Sequence, residues 1–170
     1  MSALIRKFAP LVIVSLLAGV GCAGNRVPFR HDLHRTRYAI TDQELAGLKF
    51  YVSSQIIAHD ESNDEAVIIL NEDVPGAVLK AGPDWLIVSF SKEGSGAPFA
   101  LERRRDIYRF ATRVEGRPGY RRLDELQEKI LLVDGDRYLV VKGSYAFLLI
   151  DDSELEKLIK AREHLEGRTP

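Results

Sequence analysis

Lys129-Ile130-Leu131-Leu132-Val133-Asp134-Gly135-Asp136-Arg137-Tyr138-Leu139-Val140-Val141 is the stretch that decides the fold class. Two aliphatic, β-branched runs flank Asp-Gly, the dipeptide that supplies the positive backbone torsions of a tight reverse turn. The stretch therefore reads as a β-hairpin. A second turn at Lys142-Gly143-Ser144 would send Tyr145-Ala146-Phe147-Leu148-Leu149-Ile150 back antiparallel, giving a three-stranded meander.

Toward the N-terminus the same alternation of strand and turn signals continues. Ala66–Leu70 is closed by Asn71-Glu72-Asp73, Pro75-Gly76 precedes Ala77–Leu79, and Gly82-Pro83-Asp84 precedes Trp85–Phe90. Lys92–Gly96 is a loop, and Phe99–Glu102 and Ile107–Val114 are further strand candidates. Turn signals every 8–12 residues or so predict a mainly β (α+β) fold: an antiparallel meander, small barrel or sandwich. Helices are expected only at the ends. Thr41 followed by Glu44 forms a capping-box pattern for a short turn with Leu45 and Leu48 facing inward, before strand character sets in over Lys49–Ile57. At the other end Ser153 and Glu156 form a second such pattern, with Asp151 and Asp152 adding favourable negative charge. Leu155, Leu158, Ile159 and Leu165 then share a face expected to pack on the sheet, and Gly167 can stop the helix.

Ahead of all this lies an export signature. Arg6 and Lys7 form a positive n-region, followed by thirteen uncharged, mostly apolar residues from Phe8 to Val20. A membrane-spanning helix needs roughly 20 apolar residues, so a permanent anchor is the poorer reading of this run. Leu17-Ala18-Gly19-Val20-Gly21-Cys22 resembles the cleavage site of bacterial lipoproteins, with Gly19 standing where that family usually has Leu. The resemblance implies that residues 1–21 are removed and that Cys22 becomes an acylated N-terminus. A register one residue off, or ordinary cleavage after Ala23, stays open. Leu45-Ala46-Gly47-Leu48-Lys49-Phe50-Tyr51-Val52-Ser53 in turn resembles the opening of small bacterial lipoproteins of uncharacterised function, a family that brings no catalytic residues. These resemblances imply a cell-envelope location, held to membrane lipid through Cys22. Ala23, not Asp, after the cysteine leans that location toward the outer membrane.

Residues 22–40 are expected to form a tether, since Arg26, Arg30, Arg35 and Arg37 outnumber Asp32 and Pro28 interrupts the segment. Such a basic stretch could lie on anionic headgroups, each charge worth about 1 kcal/mol, or simply be solvated. Residues 41–170 then make a single domain. Cys22 is the sole cysteine, so no internal disulfide is available and the domain needs a proper hydrophobic core. Without residues 1–21 the chain carries 22 basic and 25 acidic side chains, a balance that argues against nucleic acid as a partner.

The chemistry-bearing residues form no familiar catalytic set. His31 and His34 are three apart, but a zinc site needs about four ligands and no spacing brings His59 or Asp60 to them. Asp60–Glu65 lacks the glycine and distal glutamate of a calcium loop and reads as a solvated turn. No Gly-x-Ser-x-Gly elbow and no phosphate-binding glycine loop occurs, so neither metal nor cofactor is expected. One cluster stands out. On alternate positions Arg103, Arg105, Ile107, Arg109 and Ala111 would share one strand face, with Arg104, Tyr108 and Phe110 on the other. Arg103, Arg105, Tyr108, Arg109 and Arg121 make a candidate surface for an anionic polymer, lipid headgroups or an acidic envelope protein, against the plainer reading of a solvated strand balanced by nearby acids. The expected function is a non-enzymatic binding or assembly module. A hydrolase acting on an envelope polymer, or a small-ligand carrier, is the alternative.

Overall fold

The computed structural model describes residues 25–61, 66–91, 96–114 and 116–166. The export signature, Cys22 and Gly167 lie outside these, as do most of the Asp60–Glu65 turn and of the Lys92–Gly96 loop. The described chain is mostly β, in three antiparallel sheets with a short helix and a C-terminal helix.

The hairpin forms as expected. β10 (Ile130–Val133) pairs with β11 (Asp136–Lys142), and Asp134 and Gly135 both take positive φ in the turn, at 52° and 98°. Beyond it the meander gives way to a different pairing. The second neighbour of β11 is β3 (Ile56–Asp60), which in turn pairs with β4 (Ala66–Leu70). The expected third strand is β12 (Leu148–Asp151), and it lies between β1 (Arg26–Pro28) and β2 (Phe50–Val52). The reason is Gly143. At φ 81° it turns the chain out of the ladder, Ala146 N–H bonds back to its carbonyl at 2.9 Å, and the chain re-enters in the same direction. β11 and β12 thus follow one another along the run from β3 back to β2: Lys142 faces Ile57 and Leu148 faces Val52. The expected single strand at Lys49–Ile57 is divided between β2 and β3 at the same place.

The third sheet carries β5 (Ala77–Ala81), β6 (Trp85–Ser89), β7 (Ala97–Glu102), β8 (Ile107–Arg113) and β9 (Tyr120–Arg122) in sequence order. Isolated bridges from Ile107 to Arg30 and from Arg109 to Phe147 tie the start of β8 to the end of β1 and the approach to β12. All three sheets contribute to one core cluster. Phe29, Phe50, Ile56, Leu148 and Ile150 meet Leu86, Phe99, Tyr108 and Phe110 in it.

The expected tether is the largest departure. From Arg26 onward residues 22–40 belong to the fold: β1 is an edge strand, Phe29, His34 and Ile40 are buried, and His31–Arg37 winds into a π-helical turn. Its arginines read as a headgroup-facing or solvated charge run because the partners of Arg26 and Arg30 are distant in sequence. Arg26 pairs with Asp73, Arg30 with Asp106 and Arg35 with Asp42.

Both helix caps can be compared with expectation. Thr41 and Glu44 form the full capping box at the start of α1 (Asp42–Gly47), with Leu45 and Leu48 buried. In α2 (Asp152–Glu166) the cap lies two residues earlier than expected. Asp151 accepts from the Ser153 amide at 2.9 Å and the Ser153 hydroxyl at 2.6 Å. The Ser153 hydrogen bonds hold the Asp151 carboxyl below its ordinary range. Leu155 is buried, and Leu158 and Ile159 pack partly on the core. Arg162 clamps α2 to the N-terminal segment. It donates to Glu44 and to the carbonyls of Tyr38 at 2.6 Å and Ala39 at 3.1 Å. Chiefly through the Arg162 hydrogen bond, the Glu44 carboxyl is lowered to about 2.

Candidate functional site

The strand alternation in β8 holds from Ile107 onward. Tyr108 and Phe110 enter the core, while Arg109 and Ala111 lie on the opposite face of the sheet. Upstream it breaks. Residues 103–106 are the turn between β7 and β8, closed by an Asp106 amide bonded to Glu102 O at 2.8 Å and by Asp106 at φ 58°. Arg103, Arg104 and Arg105 therefore project from a turn and not from a sheet face.

Two of the five expected surface residues are not surface. Tyr108 is fully buried, and its hydroxyl shares a 2.6 Å hydrogen bond with His31 Nδ1. Burial raises the phenol above its ordinary range despite the opposing pull of Arg35. Asp106 completes this lock by accepting from the Asp32 amide at 2.9 Å and facing Arg30 at 3.3 Å. Arg109 is only 6% exposed. Its Nε donates to Glu102, and one terminal nitrogen donates to the Tyr145 carbonyl at 2.7 Å. The plainer reading of a strand balanced by acids fits Arg109, although it is buried and not solvated, and one of those acids, Asp124, arrives from beyond β9.

Those carboxylates build a floor. Glu102 faces Arg109, Arg122 at 3.7 Å and Arg105 at 3.7 Å. Asp124 faces Arg122 at 3.5 Å and Arg109 at 3.9 Å, and Glu125 pairs with the far end of Arg122. Burial pushes the Glu102 carboxyl up, but the Arg109 hydrogen bond and the three arginine charges outweigh it and hold it below its ordinary range. Lys129 pins the short helical turn Leu123–Glu125 by donating to the Leu123 carbonyl at 2.8 Å and the Asp124 carbonyl at 3.2 Å.

Above this floor lies an open depression of about 500 Å³. Arg103, Arg104 and Arg121 stand exposed on its rim, with Tyr120 and Asp84 beside them. Among the described residues, none of the three rim arginines has a carboxylate within ion-pairing distance. Six arginines (103, 104, 105, 109, 121 and 122) thus meet four carboxylates (84, 102, 124 and 125), leaving a surplus of two positive charges. Guanidinium groups can grip carboxylate, phosphate or sulfate in two-pronged fashion, so the rim is equipped to hold an anionic group and the floor to stay rigid beneath it.

His31 and His34, the other sequence candidates, both serve the fold. His34 Nδ1 accepts from the Arg30 amide at 2.9 Å, and its ring stacks on Phe29. Among the described residues no three His, Cys, Asp or Glu side chains gather as a metal-binding group, and no helix is long and apolar enough to cross a membrane. Comparison with known proteins finds no matching family model, no similar curated protein and no similar solved structure.

Proposed function

We propose that this chain is a lipid-anchored protein of a bacterial envelope that works as a non-enzymatic binding or assembly module. Its binding site is the arginine rim over the β7–β9 depression. The observation that carries this reading is the contrast between floor and rim: the floor charges neutralise one another, while Arg103, Arg104 and Arg121 are exposed and unmatched. Surface arginines bind an anionic partner more readily when no neighbouring carboxylate competes for them. The anchor rests on Arg6, Lys7, the Phe8–Val20 run and Cys22, together with their resemblance to bacterial lipoproteins. The partner fitting the rim is an acidic protein surface or an anionic envelope polymer. The hydrolase and carrier readings have no comparable observation behind them.

The test is in-cell cross-linking and recovery of the tagged full chain in a bacterial host, beside Cys22→Ser and a Arg103→Ser/Arg104→Ser/Arg121→Ser variant. A stoichiometric partner lost with both variants supports the reading. A partner kept by the triple variant moves the site elsewhere, and failure of Cys22 to incorporate labelled palmitate removes the anchor.

A further inference from the structure

The outer face of the sheet formed by β10, β11, β3 and β4 carries a group of exposed aliphatic side chains, with His59 and Lys142 among them, where a solvated sheet face alternates to polar residues. Ile69 on β4 is 51% exposed, and on β11 Leu139 and the bulged Val141 are 40% and 50% exposed. The register sets half-buried Ile57 beside Ile69 and half-buried Ile130 beside Leu139, while on the β3–β11 side His59 faces Leu139 and Lys142 faces Ile57. Exposed aliphatic side chains clustered on one sheet face mark a contact site.

One end of this face is tied to the start of the fold. The Arg26 guanidinium donates to the Glu72 carbonyl at 3.0 Å and to Asp73 at 3.1 Å, in the loop that leaves β4. The same loop holds Gln55 through Asn71 at 2.8 Å and Glu72 at 3.0 Å, and Gln55 accepts from Lys142 Nζ at 2.9 Å at the edge of the apolar face. Only Ala23, Gly24 and Asn25 separate Cys22 from Arg26. Fully extended, those four steps span at most about 14 Å. Acyl chains on Cys22 would therefore hold the Arg26 end of the domain, and the loop it grips, at the level of the lipid headgroups. The arginine depression lies elsewhere. It sits on the outer face of the five-stranded sheet, whose inner face shares the core with the inner faces of the other two. Along the chain, the β7–β8 turn is reached at the opposite end of β1, where Arg30 bridges Ile107.

From this we infer that the domain lies on its anchoring membrane through the outer face of β3, β4 and β11. Ile69, Leu139 and Val141 sit at the boundary between headgroups and acyl chains, and the arginine rim is turned to the aqueous side. The inference rests on the acylated Cys22 reading, and the occupant of the apolar face is a phospholipid surface.

The experiment uses the full chain purified from bacterial membranes with its acyl groups and reconstituted into phosphatidylcholine–phosphatidylglycerol vesicles. Because Cys22 carries the lipid and is the sole native cysteine, Ile69→Cys, Leu139→Cys and Arg104→Cys each offer one site for an environment-sensitive fluorophore. Lipids bearing a quencher near the headgroup should quench labels at 69 and 139 several-fold more than the label at 104. Equal quenching at all three sites, or labels at 69 and 139 that respond only to aqueous quencher on vesicle-bound acylated protein, overturns the inference and leaves the anchor intact. Labels at 69 and 139 shielded from both quenchers in a dimer assign the face to a second copy and overturn it too. Recovery of the chain without acyl groups overturns the anchor reading and this inference with it.

Discussion

Lowering the pH should destabilise the fold through one buried imidazole. His34 is packed between Phe29 and Tyr38, with ring centroids 5.0 and 6.2 Å away, and its Nδ1 accepts from the Arg30 amide. Burial lowers its pKa from 6.5 to about 4, outweighing the opposing attraction of Asp106. In the unfolded chain the ring takes a proton near 6.5, whereas in the folded chain it resists until about 4. Protons therefore bind the unfolded state first as pH falls, and the stability present above 6.5 is lost progressively down to about 4. Weighting the two titration curves gives a loss of about 2 kcal/mol by pH 5 and about 3 kcal/mol by pH 4. Glu44, lowered from 4.5 to about 2, loses its stabilising contribution as pH falls from about 4.5 toward 2, which leaves the window above pH 5 clear. The assay is urea unfolding between about pH 7 and 5 of the native chain and His34→Asn, in which the amide oxygen takes the place of Nδ1 without titrating. The native chain should lose about 2 kcal/mol more across that window than the variant. Parallel loss in the two chains would refute the reasoning.

Three further outcomes follow from packing and charge. Arg162→Ala should lower unfolding stability by about 2 kcal/mol, read by urea titration, because it frees Glu44 and two carbonyls at the α1–α2 junction. Gly143→Ala should cost about 3 kcal/mol in the same measurement, since φ is 81° there and a Cβ would meet the Gln55 carbonyl oxygen at 2.4 Å. Arg109→Met should cost about 3–5 kcal/mol by leaving buried carboxylates without their partner. Adding Glu102→Gln should recover part of that loss, and simple additivity of the two substitutions would break the pairing argument.

What was legible in the sequence was local. The Asp134-Gly135 hairpin and the Thr41–Glu44 capping box each depend on a few adjacent residues whose backbone chemistry does not wait for tertiary structure. The third strand of the expected meander failed because turn residues at 142–144 signal a break in the ladder but not whether the chain reverses or re-enters it. The N-terminal segment failed for a related reason: Phe29 and His34 are buried without any period, and the acids that satisfy Arg26 and Arg30 lie 47 and 76 residues away. In the candidate site Arg103, Arg105 and Arg121 were legible as charge, but the 103–106 turn that brings Arg104 to the rim was not, and the burial of Arg109 depended on Glu102 and Asp124 meeting across β8. Alternation along a strand says which side a residue faces, not what will cover that side.

That distinction separates the charges that hold the fold from those free to bind. Arg109 and Arg122 meet Glu102, Asp124 and Glu125 in a part-buried network, where removing one member strands another. Arg103, Arg104 and Arg121 have no such dependants. They add like charge to one rim, and their mutual repulsion is weak only because water and salt screen it. Neutralising all three as serines should therefore leave the melting temperature unchanged or raise it slightly, within about 0.5 kcal/mol of the native stability, while weakening capture of an anionic partner. A chain that melts well below the native protein on this change would show the rim arginines to be structural, and the proposed binding site would lose the observation that carries it. Unchanged stability with unchanged partner capture would acquit the fold and still displace the site.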